Sequence, residues 1–250
     1  MLWVLATAIL GWAAGALVNY LADVLPLRRR LTRPFCRRCE ATLDLRNYFL
    51  WPRRCPNCGA ARSLRSLLVE LLFPAAAVFL WLTGASRLPF ALELVWLSYF
   101  SLVTVIDLEH RLILHPVSLA GVALALPTGI WLHGLLPTLL GGAAGFGIML
   151  GLYFLGIGLA RLLARWRGGD ADGEALGFGD VNLSGVLGLL LGWPGISAGL
   201  VLTILVGGLG AFAALAAARL QGRYSPDLTI PYGPFLVISA SFLLFFSQYL

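Results

Sequence analysis

Apolar runs long enough to cross a lipid bilayer, separated by short segments whose only basic residue is arginine, constrain this chain more than any other feature. The first, Leu2 to Leu25, ends at Pro26 and is followed by Arg28, Arg29 and Arg30. At about 1.5 Å per residue such a run spans a hydrocarbon core of roughly 30 Å. Further runs lie at about 67–84, 89–106, 116–134, 136–160, 181–192, 196–218 and 231–249. With 59% of its residues hydrophobic, 12% charged and a mean hydropathy of +0.86, the chain cannot be a soluble domain, whose charged share is nearer a quarter. The expectation is an all-α integral membrane protein of about eight transmembrane helices. Residues 1–26 form the first helix, 27–66 a small polar loop domain, and 67–250 a polytopic core.

All eighteen basic residues are arginines, and seventeen fall in the segments 27–66, 107–115, 161–180 and 219–230; Arg87 is the exception. These four segments alternate with the others along the chain, so the positive-inside rule places them in the cytoplasm and both termini outside. No basic residue precedes the first run, as a signal peptide would require, so that run is read as an uncleaved helix. The net charge of +6 is explained by this sorting and calls for no nucleic-acid partner. The sixth run, Val181 to Gly192, reaches only about 18 Å before Trp193-Pro194-Gly195 breaks it. Asp180, at its start, is therefore expected below the cytoplasmic surface or in a thinned bilayer, on a loop that Gly177 and Gly179 allow to turn tightly.

Four cysteines stand within the polar loop as Cys36-x2-Cys39 and Cys55-x2-Cys58, with none elsewhere. Two such pairs supply four thiolates for a tetrahedral zinc, and a closed four-sulfur shell is structural because catalytic zinc keeps an open position. The metal would fold a loop too small and polar to build its own core.

Acidic residues at membrane edges need a reason, since an ionised carboxylate at a helix centre costs about 2.5–3.5 kcal/mol on insertion scales. Asp107 closes the third run and Asp180 opens the sixth, both at the cytoplasmic end. Singly, each has a plain explanation: Asp180 as a helix N-cap, Asp107 as a solvated edge residue. Together, two carboxylates ~4 Å apart repel by about 4 kcal/mol at an effective dielectric near 20, so one keeps a proton while the other is ionised. That gives an acid and a base able to activate water against a peptide carbonyl. Glu70, inside the second run, can hold its helix against Arg62 or Arg65, while Glu93 is expected to snorkel to the outer interface. His110, His115 and His133 lack the spacing of a metal set, and tryptophans such as Trp3, Trp51, Trp81, Trp131 and Trp193 read as interfacial anchors.

Gly177-Phe178-Gly179-Asp180 resembles the GxGD motif of intramembrane aspartyl proteases. The order of features is similar to that of the type IV prepilin peptidase family: the two C-x2-C pairs after the first helix, Val69-Glu70, Asp107-Leu108-Glu109-His110-Arg111 before Leu114-His115-Pro116, and Ile230-Pro231-Tyr232-Gly233-Pro234-Phe235 before the last run. The resemblance implies that Asp107 and Asp180 are the catalytic pair. It also implies that the substrates are prepilin or pseudopilin precursors, cut at the cytoplasmic face of a bacterial inner membrane between a short basic leader and an apolar helix. It further implies methylation of the new N-terminus with S-adenosylmethionine, with Glu70 matching a family glutamate. Three departures stand out: Asn182 where the family commonly has lysine, no Asn-x-Pro-x-x-Ser element between the cysteine pairs, and no arginine before Pro26.

Two other readings stay open on the sequence. One is a presenilin-like GxGD protease with other substrates, although those enzymes carry Tyr-Asp where Ile106-Asp107 stands here. The other is a non-catalytic membrane protein whose zinc module docks a partner and whose aspartates cap helices.

Overall fold

The computed structural model describes residues 1–49, 54–84, 87–167, 177–222 and 231–246. Trp51, Ile230 and parts of the arginine-bearing segments after residues 167 and 222 lie outside the described residues. Among the described residues the regular structure is helical, and the strand-like features are two isolated bridges, Phe35 with Thr42 and Arg54 with Ala61. Six helices among the described residues are long and apolar enough to cross a membrane: α1 (Leu2–Arg28), α3 (Leu64–Thr83), α4 (Phe90–His110), α5 (His115–His133), α6 (Leu135–Arg167) and α8 (Gly195–Leu220). The shorter apolar helices are α7 (Phe178–Leu191) and α9 (Gly233–Phe246), while α2 (Leu45–Phe49) is a single turn in the polar loop.

The pattern of burial suits a lipid solvent. Asn19, Thr138, Ser184 and Ser239 are fully buried, whereas Leu119, Leu209 and Phe212 are more than 70% exposed. Inside, Thr138 donates to Gly134 O within its own turn and Ser184 of α7 donates across to Gly145 O of α6, while Ser239 Oγ has no partner among the described residues. The Ser184 bond ties α7 to α6 where no water is present to compete. The chain is an integral membrane protein.

Two compact units divide the chain, Met1–Ile106 and Asp107–Leu250. In the first, α1 packs along α3, with the polar loop between them in sequence. α1 does not stop at Pro26 but continues to Arg28, where Arg29 closes it in the left-handed conformation at φ 53°. A proline is tolerated here because neighbouring groups can take up the carbonyl it frees. Glu93 differs from expectation. It is 3% exposed, in the first turn of α4, and so does not snorkel into an interface.

In the second unit α7 is the central element, packed against α6 along most of its length and also against α5, α8 and α9. Small residues set this closeness: a Cβ on Gly188 would run into the carbonyl group of Gly141, 2.7 Å from its carbon. α9 packs on α8 and α7. The consequence for function is that α7 is held rigidly, and with it the residues of its first turn.

Candidate active site

Asp107 lies near the C-terminal end of α4, 5% exposed. Its carbonyl accepts from Arg111 N at 2.8 Å, and Arg111 at φ 52° turns the chain out of the helix. The three residues Leu112 to Leu114 then lead into α5, and Ile113 rests on the start of α7: a Cβ on Gly179 would stand 2.8 Å from Ile113 Cβ. Gly179 is thus required by close approach, and that approach brings the two acidic segments together. Gly177 is different. It sits at φ −76° and ψ 141°, a conformation any residue adopts, so it supplies no special turn.

Asp180 is not the N-cap of α7. The helix begins earlier than the apolar run, with Gly177 as N-cap, so Asp180 is the third helical residue and 8% exposed. From that position a carboxylate can reach back toward the N-cap amide, as a capping-box acid does, and the Gly177 N–H faces it. The Asp107 carboxylate acts electrostatically on Asp180. Arg111 is the cation that acts on Asp107.

The first turn of α9 forms a third side of this site, which the sequence offers only as part of a motif. The Gly233 amide faces the Asp107 carboxylate, whose Oδ2 is buried without a hydrogen-bond partner among the described residues. Tyr232 lies beside Asp180; burial first, and then the Asp180 carboxylate, raise its phenol above the ordinary value. Two buried carboxylates at facing helix ends, beside a tyrosine and the amide turn of α9, can exchange a proton through a water or a peptide group placed between them.

An apolar groove of about 490 Å³ runs between α5, α6 and α7, lined on α7 by Phe178, Asn182, Gly185, Val186 and Leu189. Those positions recur at helical spacing on one face, whereas Asp180 is about 200° around the helix from Phe178. The groove is therefore separate from the carboxylates. Asn182 looks into it, so the neutral residue there bears on the groove more than on the acidic pair.

The cysteine loop folds as two matching knuckles. Cys36 N bonds Ala41 O and Cys55 N bonds Ala60 O, each at 2.9 Å, while Glu40 N bonds Cys36 O and Gly59 N bonds Cys55 O. The residue after each second cysteine is left-handed: Glu40 at φ 56° and Gly59 at φ 69°. The four sulfurs lie within 4.8 Å of one another, with Cys36–Cys58 and Cys39–Cys55 both at 3.6 Å. Zinc–sulfur bonds of about 2.3 Å in a tetrahedron put sulfurs about 3.8 Å apart, so the set fits such an ion. Amide hydrogen bonding, from Cys58 first, draws the Cys55 thiol down to about 6. Against the Ala60 amide, burial and the neighbouring sulfurs push Cys58 up to about 12. Four thiolates share this space only with a cation to neutralise them.

This module is fastened to α1 and α3 by a polar cluster centred on Asp23, for which the sequence carries no local signal. The Tyr48 hydroxyl donates to Asp23 Oδ2 at 2.5 Å, Arg65 donates to Asp23 Oδ1, and Arg62 and Arg37 pair with it at 3.6 and 3.5 Å. Burial foremost pushes the Tyr48 phenol well above its ordinary range, so it stays a neutral donor. Arg62 stacks over the Tyr48 ring at 4.0 Å and donates to Glu70 Oε1 at 3.2 Å, where Asn19 also donates. Glu70 is thus held by Arg62 and Asn19. The cavity here, lined by Asp23, Tyr48 and Arg62 among others, is about 80 Å³. Small-molecule sites hold roughly 300 Å³ or more, so the cavity formed by the described residues is smaller than such a site.

The fold and the two sites define a polytopic helical membrane protein with a buried acidic pair and a four-cysteine module. The chain belongs to the type IV leader peptidase family, whose model matches residues 94–215. It is 33% identical over 231 residues to a prepilin leader peptidase/N-methyltransferase of Aeromonas hydrophila, covering 87% of this chain and 72% of that protein. It is 28% identical to the Bacillus subtilis (strain 168) protein of the same name, over 82% of this chain and 77% of the relative. A Legionella pneumophila protein of that name is also 28% identical, over 90% and 76%. No solved structure matches the chain.

Proposed function

We propose that the chain is an aspartyl endopeptidase of the inner membrane that removes the short basic leader of prepilin or pseudopilin precursors, using Asp107 and Asp180. The observation that carries this reading is the pair of buried carboxylates, Asp107 near the end of α4 and Asp180 at the end of the Gly177–Asp180 motif in the first turn of α7, with the Asp107 charge acting on Asp180. The ionised member takes a proton from water as its oxygen bonds to the scissile carbonyl carbon, and the protonated member gives its proton to the carbonyl oxygen. As the resulting diol collapses, the second carboxylate takes a proton back from a hydroxyl, the first gives its proton to the amide nitrogen, and the C–N bond breaks. In this reading the six long helices and the shorter α7 and α9 all cross the bilayer, with both termini outside and the acidic pair at the cytoplasmic face. Residues 27–66 form a cytoplasmic module folded by one structural zinc on Cys36, Cys39, Cys55 and Cys58. The relatives' names include N-methyltransferase, which supports methylation of the new N-terminus as a second activity.

The test is co-expression with a precursor. Asp107→Asn and Asp180→Asn should each abolish leader removal while protein level and membrane insertion stay at wild-type values. Undiminished cleavage by both would sink the reading. Mass spectrometry of the product peptide, run on the wild type, reports the cut position and any added methyl group together.

A further inference from the structure

Gly233 is the first residue of α9, and a Cβ built on it would stand 2.6 Å from Asp107 Oδ2 and 3.1 Å from its Cγ. A real Cβ essentially never comes that close to a carboxylate, so any other residue at 233 must move either α9 or the acid. α9 has little freedom to move. Phe235 is wedged against Gly210 of α8, where an added Cβ would meet its ring at 2.6 Å, and Leu236, Val237 and Ala240 are buried. Asp107, in turn, is 5% exposed, and its Oδ2 has no hydrogen-bond partner of its own among the described residues. An orphaned buried carboxylate oxygen costs free energy unless something satisfies it. What faces this carboxylate from α9 is the amide at the helix start, where backbone N–H groups and the helix dipole both favour an oxygen.

We propose that Gly233 is a positioning residue for Asp107: the missing side chain makes the space in which the carboxylate lies over the first turn of α9 and is aimed at the reacting group. This rests on the aspartyl reading of the pair. The charged and titratable groups that act on the pair are Arg111 from the segment of Asp107, Asp180 from α7 and Tyr232, the residue before Gly233, beside Asp180.

The test compares Gly233→Ala with Gly210→Ala in purified, detergent-solubilised protein cleaving a precursor peptide. Both add one methyl group against a close neighbour at the α9 contacts, but only the first touches the acid. Displacing a reacting group by about 1 Å costs on the order of 100-fold. Gly233→Ala should therefore lose about that much in kcat with KM within about twofold, while Gly210→Ala, which pushes on the Phe235 ring and not on the acid, lowers the unfolding temperature and loses less than about tenfold in kcat. Full kcat in Gly233→Ala, or equal losses in both variants, would overturn the proposal. Should Gly233→Ala fail to fold, Asp107→Glu decides. The extra methylene has no room beneath α9, so the variant should be as inactive as Asp107→Asn although its charge is kept, and activity within about tenfold of wild type would refute the inference. If Asp107→Asn itself cleaves, the aspartyl reading falls, and that result is recognised without any change at Gly233.

Discussion

Gly188→Ala tests how far the acidic pair depends on helix packing at a distance. The added Cβ would stand 2.7 Å from the carbonyl carbon of Gly141 and 3.1 Å from Gly142 Cα. Carbon atoms in contact keep about 3.5–4.0 Å, so α6 and α7 must part by about 1 Å. Overpacking of this kind costs roughly 1–3 kcal/mol. Asp180 is eight residues earlier on the same helix, about 12 Å along its axis. A rigid α7 carries the shift to its first turn, and a misplacement near 1 Å there lowers kcat on the order of 100-fold. Gly151→Ala is the matched control on α6, because nothing lies within 4 Å of its Cβ position. There the loss of chain freedom in the unfolded state makes alanine neutral or better by up to about 1 kcal/mol. The assay is precursor cleavage together with thermal unfolding in the same detergent. If Gly188→Ala matches Gly151→Ala in both, the argument that α7 is held by glycine contacts fails.

Arg62→Leu leaves Asp23 and Glu70 short of a buried partner and should destabilise by about 3–5 kcal/mol. Tyr48→Phe removes one hydrogen bond to a charged group, worth about 1.5–3 kcal/mol, and the order of the two unfolding midpoints checks the ranking. Cys55→Ser should lower bound zinc below one equivalent and reduce protein level. A strong chelator should likewise unfold residues 36–62, read as new protease cuts there, while a metal-free protein with an uncut loop would contradict the zinc assignment.

Much of the fold is legible in the sequence because lipid solvent makes composition decisive. The apolar lengths and the placement of arginines follow from the cost of burying charge and unpaired backbone, and both are visible residue by residue. The cysteine cluster is legible because chelation fixes the spacing of its ligands. What escapes are partnerships distant in sequence. Asp23 looks like a stray acid near the end of an apolar run, since nothing local says that Tyr48, Arg62 and Arg65 will converge on it. Glu93 reads as interfacial because burial of an acid cannot be inferred without seeing its surroundings. Asp180 reads as a cap because the apolar run starts after it, whereas the helix starts at Phe178. Helix ends follow backbone hydrogen bonds, and hydropathy does not report them.

The Asp23 cluster also imposes an order of assembly. Synthesis delivers α1 first, carrying an acid whose partners at positions 37, 48, 62 and 65 are made in turn, the last of them forty-two residues later. Until Arg37, Tyr48, Arg62 and Arg65 have all been made, the carboxylate lacks part of the set that holds it in the folded chain. Arg62 and Arg65 arrive just after the second knuckle, at the threshold of α3. The full cluster joining α1 and α3 is therefore complete only after the cysteine loop between them has been made, so the two helices and the loop share one set of contacts.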